Sequence, residues 1–287
     1  MKSTKKYKWF AYICIALFLL FWISSMKKST KYTVPDYPLV VMDNVIRVKE
    51  NGEVLYRFVP VEGGYMTFSY SSNITAHYGD SISVPTSVFD AKREEINSFL
   101  IGEMPVTQEL WHYVTYGKFS PNYATFGVSD FIIYFDKYKP SQWVEFIQKL
   151  EEMTGVEFAI PTSEQWEYAA RGGQKSHDYI YAGSNNIDQV AQYRDNTANK
   201  DFVIGKKKAP NELGLYDMSG SVFELTSTPY TEVHPDIKHA EDSIKDKFDG
   251  FVARGGDVNC AEFFCRVKTR AFCHKNSQVG LRLILKY

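Results

Sequence analysis

The sequence predicts an α+β domain of short helices, short strands and much irregular chain, standing behind one transmembrane helix. Three observations predict it: a charge-free apolar run near the N-terminus, strand-like runs joined by an Asn-Gly turn, and three capped segments of helical apolar spacing, each too short for a bundle. With 44% hydrophobic residues and 20 Phe, 20 Tyr and 5 Trp in 287, the chain can bury a sizeable core and is not a disordered composition.

The first element is the run Trp9 to Ile23, 15 apolar residues that extend through Ser24, Ser25 and Met26 to 18 without a charge. At a helical rise of about 1.5 Å per residue this reaches roughly 27 Å, close to a hydrocarbon core. A cleaved signal peptide has the same basic start and apolar centre, but Ile23 to Lys28 offers no convincing small-residue cleavage site. The expectation is therefore a basic cytoplasmic N-terminus at 1–8, an anchor at 9–26, a linker at 27–39 and a domain at 40–287. Four Lys precede the run and three follow it, placing the domain outside the cytoplasm, in the periplasm or at the cell surface. Residues 1–31 carry seven Lys and no acid, so the remainder holds 26 basic against 34 acidic residues, a net −8. An acidic body without a basic stripe argues against nucleic acid as a partner. Outside the anchor only Cys260, Cys265 and Cys273 remain, which excludes a disulfide-built scaffold.

Val45 to Val48 and Val54 to Val59 read as strands around the Asn51-Gly52 turn. Thr107 is the expected N-cap of a helix over 108–116, with Leu110, Trp111 and Val114 on one face. Pro140-Ser141 opens a second helix, in which Trp143, Phe146, Ile147 and Leu150 share a face and Gly155 stops it. Thr162 and Gln165, three apart, form a capping box ahead of Trp166, Ala169 and Ala170, and Gly172-Gly173 ends that third helix. Beyond Gln174 the chain offers only short strands and loops.

Several strings then fall into one order: Val61-Glu62-Gly63-Gly64, Gly102-Glu103-Met104-Pro105-Val106-Thr107, Ile160 to Gly173, Asn211 to Gly220, Arg254-Gly255-Gly256 and Gly280-Leu281-Arg282. They resemble the formylglycine-generating enzyme, or sulfatase-modifying factor, family over about Phe58 to Tyr287, and most the bacterial branch with Ser184-Asn185-Asn186-Ile187-Asp188 after the Gly-Gly. The resemblance implies an irregular C-type-lectin-like fold. In catalytic members, two cysteines five apart after Arg-Gly-Gly bind copper(I) and help convert a sulfatase cysteine to formylglycine. Cys260 and Cys265 reproduce that placement, and soft thiolates suit copper(I). Departures stand beside it. Asp257 replaces a Ser, the stretch from Cys265 to Gly280 is short, and Cys265 to Arg270 also aligns with a Cys-Arg-x-x-x-Arg string that occurs in the bacterial branch without the first cysteine. On that alignment Cys265 is a buried small residue and Cys260 incidental.

The family string Gly-Asn-Val-Trp-Glu-Trp reads Gly220-Ser221-Val222-Phe223-Glu224-Leu225 here. The resemblance implies structural calcium held by Ser221 and Glu224, weakened by the lost amide, and a second calcium region at Asp195, Asn196, Asn199 and Asp201, all four of which also read as solvated turn residues. The six His show no metal-ligand spacing, and Cys273-His274 does not complete a zinc site. Arg254, Arg270 and Arg282 read as ion-paired scaffold, since Arg cannot act as a base. The leading expectation is a membrane-anchored, non-catalytic member that binds a protein or peptide, such as a sulfatase, outside the cytoplasm. The alternative is a copper-dependent formylglycine-generating oxidase with Cys260 and Cys265 as catalytic ligands.

Overall fold

Apolar alternation produces the sheet that carries the rest. β1 (Leu39–Met42), β2 (Val45–Val48), β3 (Val54–Val61), β4 (Gly64–Phe68), β5 (Lys92–Ile96) and β6 (Phe99–Gly102) follow in order in the computed structural model. It describes residues 38–68, 91–117, 139–197, 208–230, 249–277 and 279–286. The expected anchor and almost all of the linker lie outside these residues, among which no helix is long and apolar enough to cross a membrane. β2 and β3 pair antiparallel on either side of the Asn51-Gly52 turn, with Gly52 at a φ of 72° that a larger residue rarely adopts.

The principal sheet runs β1-β2-β3-β6-β11-β7, where β7 is Phe158–Ala159 and β11 is Ile284–Leu285, and every neighbouring pair is antiparallel. The late strand β11 thus sits inside the sheet, bonded on both sides. β8 (Glu224–Pro229), β9 (Gly250–Arg254) and β10 (Ala271–His274) form a second antiparallel sheet, and β4 pairs with β5 as a separate hairpin.

The three expected helices all form. In α1 (Gln108–Tyr116) the Thr107 hydroxyl accepts from the Leu110 amide at 3.2 Å, and Leu110, Trp111 and Val114 are buried. α2 (Pro140–Thr154) buries Trp143, Phe146, Ile147 and Leu150, and Gly155 ends it in the left-handed conformation at φ 70°. Trp111 lies edge-on to Trp143 and stacked on Phe146, so the two helices meet through aromatic rings. α3 (Ser163–Ala170) carries the full capping box: the Thr162 hydroxyl accepts from the Gln165 amide at 3.1 Å, and the Gln165 side chain accepts from the Thr162 amide at 3.0 Å. Single turns follow at α4 (Ile187–Val190) and α5 (Arg194–Thr197).

One apolar cluster lies between β1–β3 and the pair α1 and α2. A second surrounds Trp166, Tyr168, Ala169 and Ala170 of α3. Mixed short helices, short strands and long connections are the architecture expected of the sequence.

Candidate functional site

Two buried ion clusters fix the loops that carry the site. Trp166 and Glu167 are adjacent on α3, and both are fully buried. Glu167 Oε2 accepts from Arg254 Nη2 at 2.7 Å and from Arg270 Nη2 at 2.9 Å, with Arg171 behind it at 3.5 Å. Burial alone would raise the Glu167 carboxyl, but Arg270, Arg254 and Arg171 outweigh it and hold it below its ordinary value. Arg254 spends all five N–H groups, on Ser163 Oγ and its carbonyl, the Val267 and Thr269 carbonyls, and Glu167. Burial, then the Arg270 charge, lower the Arg254 guanidinium to about 10 even so.

In the second cluster Glu224 Oε1 accepts from Arg282 Nη2 at 2.8 Å. Glu224 Oε2 accepts from Arg282 Nε at 3.0 Å and from Trp166 Nε1 at 2.7 Å. Burial opposes the Arg282 charge, yet the Glu224 carboxylate outweighs it and the Arg282 guanidinium is held above its ordinary value. The expected scaffold role of Arg254, Arg270 and Arg282 is therefore met, each with a buried carboxylate partner.

From Arg254 the chain turns through Gly255 and Gly256, both left-handed at φ 92° and 76°. A Cβ on Gly256 would stand 2.9 Å from Cys265 Sγ and 3.0 Å from Cys260 Sγ, so only glycine lets the backbone lie against both sulfurs. Asp257 follows, 8% exposed, its Oδ1 accepting from the Asn259 amide at 2.9 Å. Cys260 Sγ accepts from the Asp257 amide and donates to the Asp257 carbonyl, each at 3.1 Å. A 3-10 turn at Glu262–Cys265 then returns Cys265 to the same place. The two sulfurs face each other at 3.9 Å, and both are free thiols. Cys260 is half-buried, whereas Cys265 is fully buried and its carbonyl accepts from Ser219 Oγ at 2.8 Å. The hydrogen bond to Cys260, burial, and the nearby Cys260 and Asp257 charges push the Cys265 thiol far above the ordinary thiol range.

Around this pair, Phe223 meets Phe264 edge-on at 6.1 Å, and Phe264 meets Phe263 likewise at 5.6 Å. Leu225 is buried in the first core cluster and Phe223 packs against it. Both positions hold packing roles in place of tryptophan.

Ser221 Oγ donates to Asp217 Oδ1 at 2.7 Å, and Asp195 pairs at the surface with Arg194. Asn196 ties the turn, accepting from the Tyr193 amide and donating to Asp188 and the Ala191 carbonyl. Asp201 and Asn199 lie outside the described residues, as do His77, His234 and His239. Cys273 is a buried core residue whose thiol burial pushes up to about 12. Among the described residues no group of three or more His, Cys, Asp or Glu is placed to hold a metal ion. Copper(I) fits the Cys260–Cys265 pair by donor type and by the facing sulfurs. Calcium does not fit Ser221 and Glu224, because Glu224 is already held by Arg282 and Trp166.

Residues 47–287 match the sulfatase-modifying factor enzyme 1-like domain. The chain belongs to that family. Among relatives of this sulfatase-modifying factor domain, a chaperone protein LppX of Paenibacillus barcinonensis is 44% identical over 84 residues, covering 23% of this chain and 30% of the relative. An inactive C-alpha-formylglycine-generating enzyme 2 of Bos taurus is 31% identical over 88 residues, covering 28% of this chain and 29% of the relative. The match therefore spans under a third of either relative. Treponema denticola variable protein 1 shares the fold at a TM-score of 0.60 and 22% identity, over 82% of this chain and 97% of that one. PvdO from Pseudomonas aeruginosa does so at 0.55 and 16%, over 80% and 94%.

Sequence reasoning missed the partners Glu167 and, as an ion-pair member, Glu224. Glu167 carried one signal: it is an acidic residue one position after Trp166 in a helix whose apolar face had to be buried.

Proposed function

We propose that this is a non-catalytic member of the family, anchored by residues 9–26, whose body binds a protein or peptide outside the cytoplasm. The observation that carries this reading is the setting of Cys265. Its sulfur is fully buried, against a second thiol and with Asp257 close by. Oxidative chemistry at the pair needs thiolates there, and each one-unit rise in a thiol pKa costs about 1.4 kcal/mol in forming one. A substrate thiolate arriving beside Asp257 would meet the same repulsion. The relatives named as a chaperone and as inactive enzymes support a role in binding, and a sulfatase is the partner class the family suggests.

The facing sulfurs favour one second reading, a formylglycine-generating oxidase. Bound between Cys260 and Cys265, copper(I) would supply oxygen activation; the chain itself would offer two thiol ligands and the half-buried phenylalanines as a peptide wall. The full chain, reconstituted with copper(I), is expected to leave a Cys-x-Pro-x-Arg peptide unoxidised when the aldehyde is sought by mass spectrometry. Turnover that disappears in Cys260→Ser would overturn the non-catalytic reading.

A further inference from the structure

The segment 217–224 is the place where the family implies a metal and where this chain's own atoms leave no call for one. Asp217 and Ser221 hold left-handed backbone at φ 57° and 68°, costly for residues with a Cβ. The 2.7 Å bond from Ser221 Oγ to Asp217 Oδ1 spans them. Three of the carbonyls in this segment already have a backbone donor. Gly220 accepts from the Val222 amide at 2.9 Å, Ser221 from Val258 at 3.3 Å, and Phe223 from Gly280 at 2.8 Å. A calcium ion needs six to eight oxygens, and both carboxylate oxygens of Glu224 already accept from Arg282, the second from Trp166 as well.

A cation is nevertheless present. The Arg282 guanidinium takes both oxygens of Glu224, the Tyr216 carbonyl at 2.8 Å and the Gly102 carbonyl at 2.8 Å. It gathers oxygens from three stretches of chain, as a bound metal would, and its rigid planar fork sets their directions. We infer that the segment 217–224 is organised by Arg282 as an internal cation, in place of calcium, so its order does not depend on the ion. Trp166, donating to the same Glu224 oxygen, ties that arrangement to α3.

Hydrogen exchange followed by mass spectrometry on the full chain tests this locally. Peptides covering 217–224 are compared in chelator and in about 10 mM calcium, well above the ~10⁻³ M of weak extracellular sites. Exchange rates should agree within about twofold. A site at least tenfold saturated would slow exchange about tenfold, and such slowing in these peptides would overturn the inference. Arg282→Lys keeps the charge and loses the fork; it should speed exchange across 217–224 with and without calcium. Unchanged protection in that variant would also overturn it, and the wild-type arm decides the matter should the variant not fold.

Discussion

The Glu167 and Glu224 clusters and the Cys260–Cys265 turn are joined by a few residues of chain, yet they are built on opposite terms. In the clusters four fully buried charges, Glu167, Glu224, Arg254 and Arg282, are met by counter-charges and carbonyls. At the turn two thiols share one pocket of backbone, one half-exposed, with the Asp257 carboxylate beside them. The fold keeps its electrostatic skeleton, while at the position that would do chemistry the hydrogen bond to Cys260, burial and the charges of Cys260 and Asp257 raise the Cys265 thiol rather than activate it. A scaffold and a reactive site in one domain can therefore diverge independently.

The sharpest way to break this contrast is Glu167→Ala. It strands Arg254 and Arg270 without their carboxylate, and should cost about 3–5 kcal/mol in urea unfolding. A loss under about 1 kcal/mol would show that the cluster is dispensable. Changing pH probes both regions in one protein. Because the Glu167 pKa is depressed in the folded state, its contribution is complete above its unfolded value near 4.3 and is lost as pH falls through its native value. Stability should hold to about pH 5 and decline below it. The Cys265 pKa is raised, so above about 8.5 the unfolded chain sheds a proton that the folded one keeps, and stability falls as pH rises. Cys265→Ala should shallow that alkaline limb and leave the acid limb alone; equal limbs in both proteins would remove Cys265 from the account.

Thr162→Ala comes next, at about 1 kcal/mol, since it takes the acceptor from the Gln165 amide at the head of the helix carrying Glu167. A neutral result in thermal unfolding would mean that the helix start is set by packing alone. The smallest effect belongs to Cys260→Ser, expected within about 0.5 kcal/mol of wild type because the side chain is half-exposed. A large loss there would make Cys260 a structural residue and erase the contrast.

What the sequence made legible follows the range of the interactions involved. The capping box at Thr162, the stop at Gly155 and the cap at Thr107 depend on residues within a few positions, and all appear in the fold. The arginines were readable as scaffold from their chemistry. Their partners were not, because Glu167 meets Arg254 across 87 residues and Glu224 meets Arg282 across 58. Local patterning carries no record of such pairings. The alignment of Cys265 to Arg270 indicated a buried Cys265 and the spacing indicated a pair, but neither showed that both hold at once, which depends on Gly256 lying against both sulfurs and on Ser219 reaching in from another loop.

β11 has a consequence for how the domain is made. Ile284–Leu285 fills the gap between β6 and β7, and Arg282 just before it closes on Glu224. On a ribosome, β6 and β7 emerge with no strand between them, and Glu224 waits 58 residues for its counter-charge. Such distant pairings make the closing step slow and leave strand edges open in the interval. During synthesis the nascent body is thus obliged to remain incomplete, and in need of protection from aggregation, until residue 285 has cleared the exit tunnel.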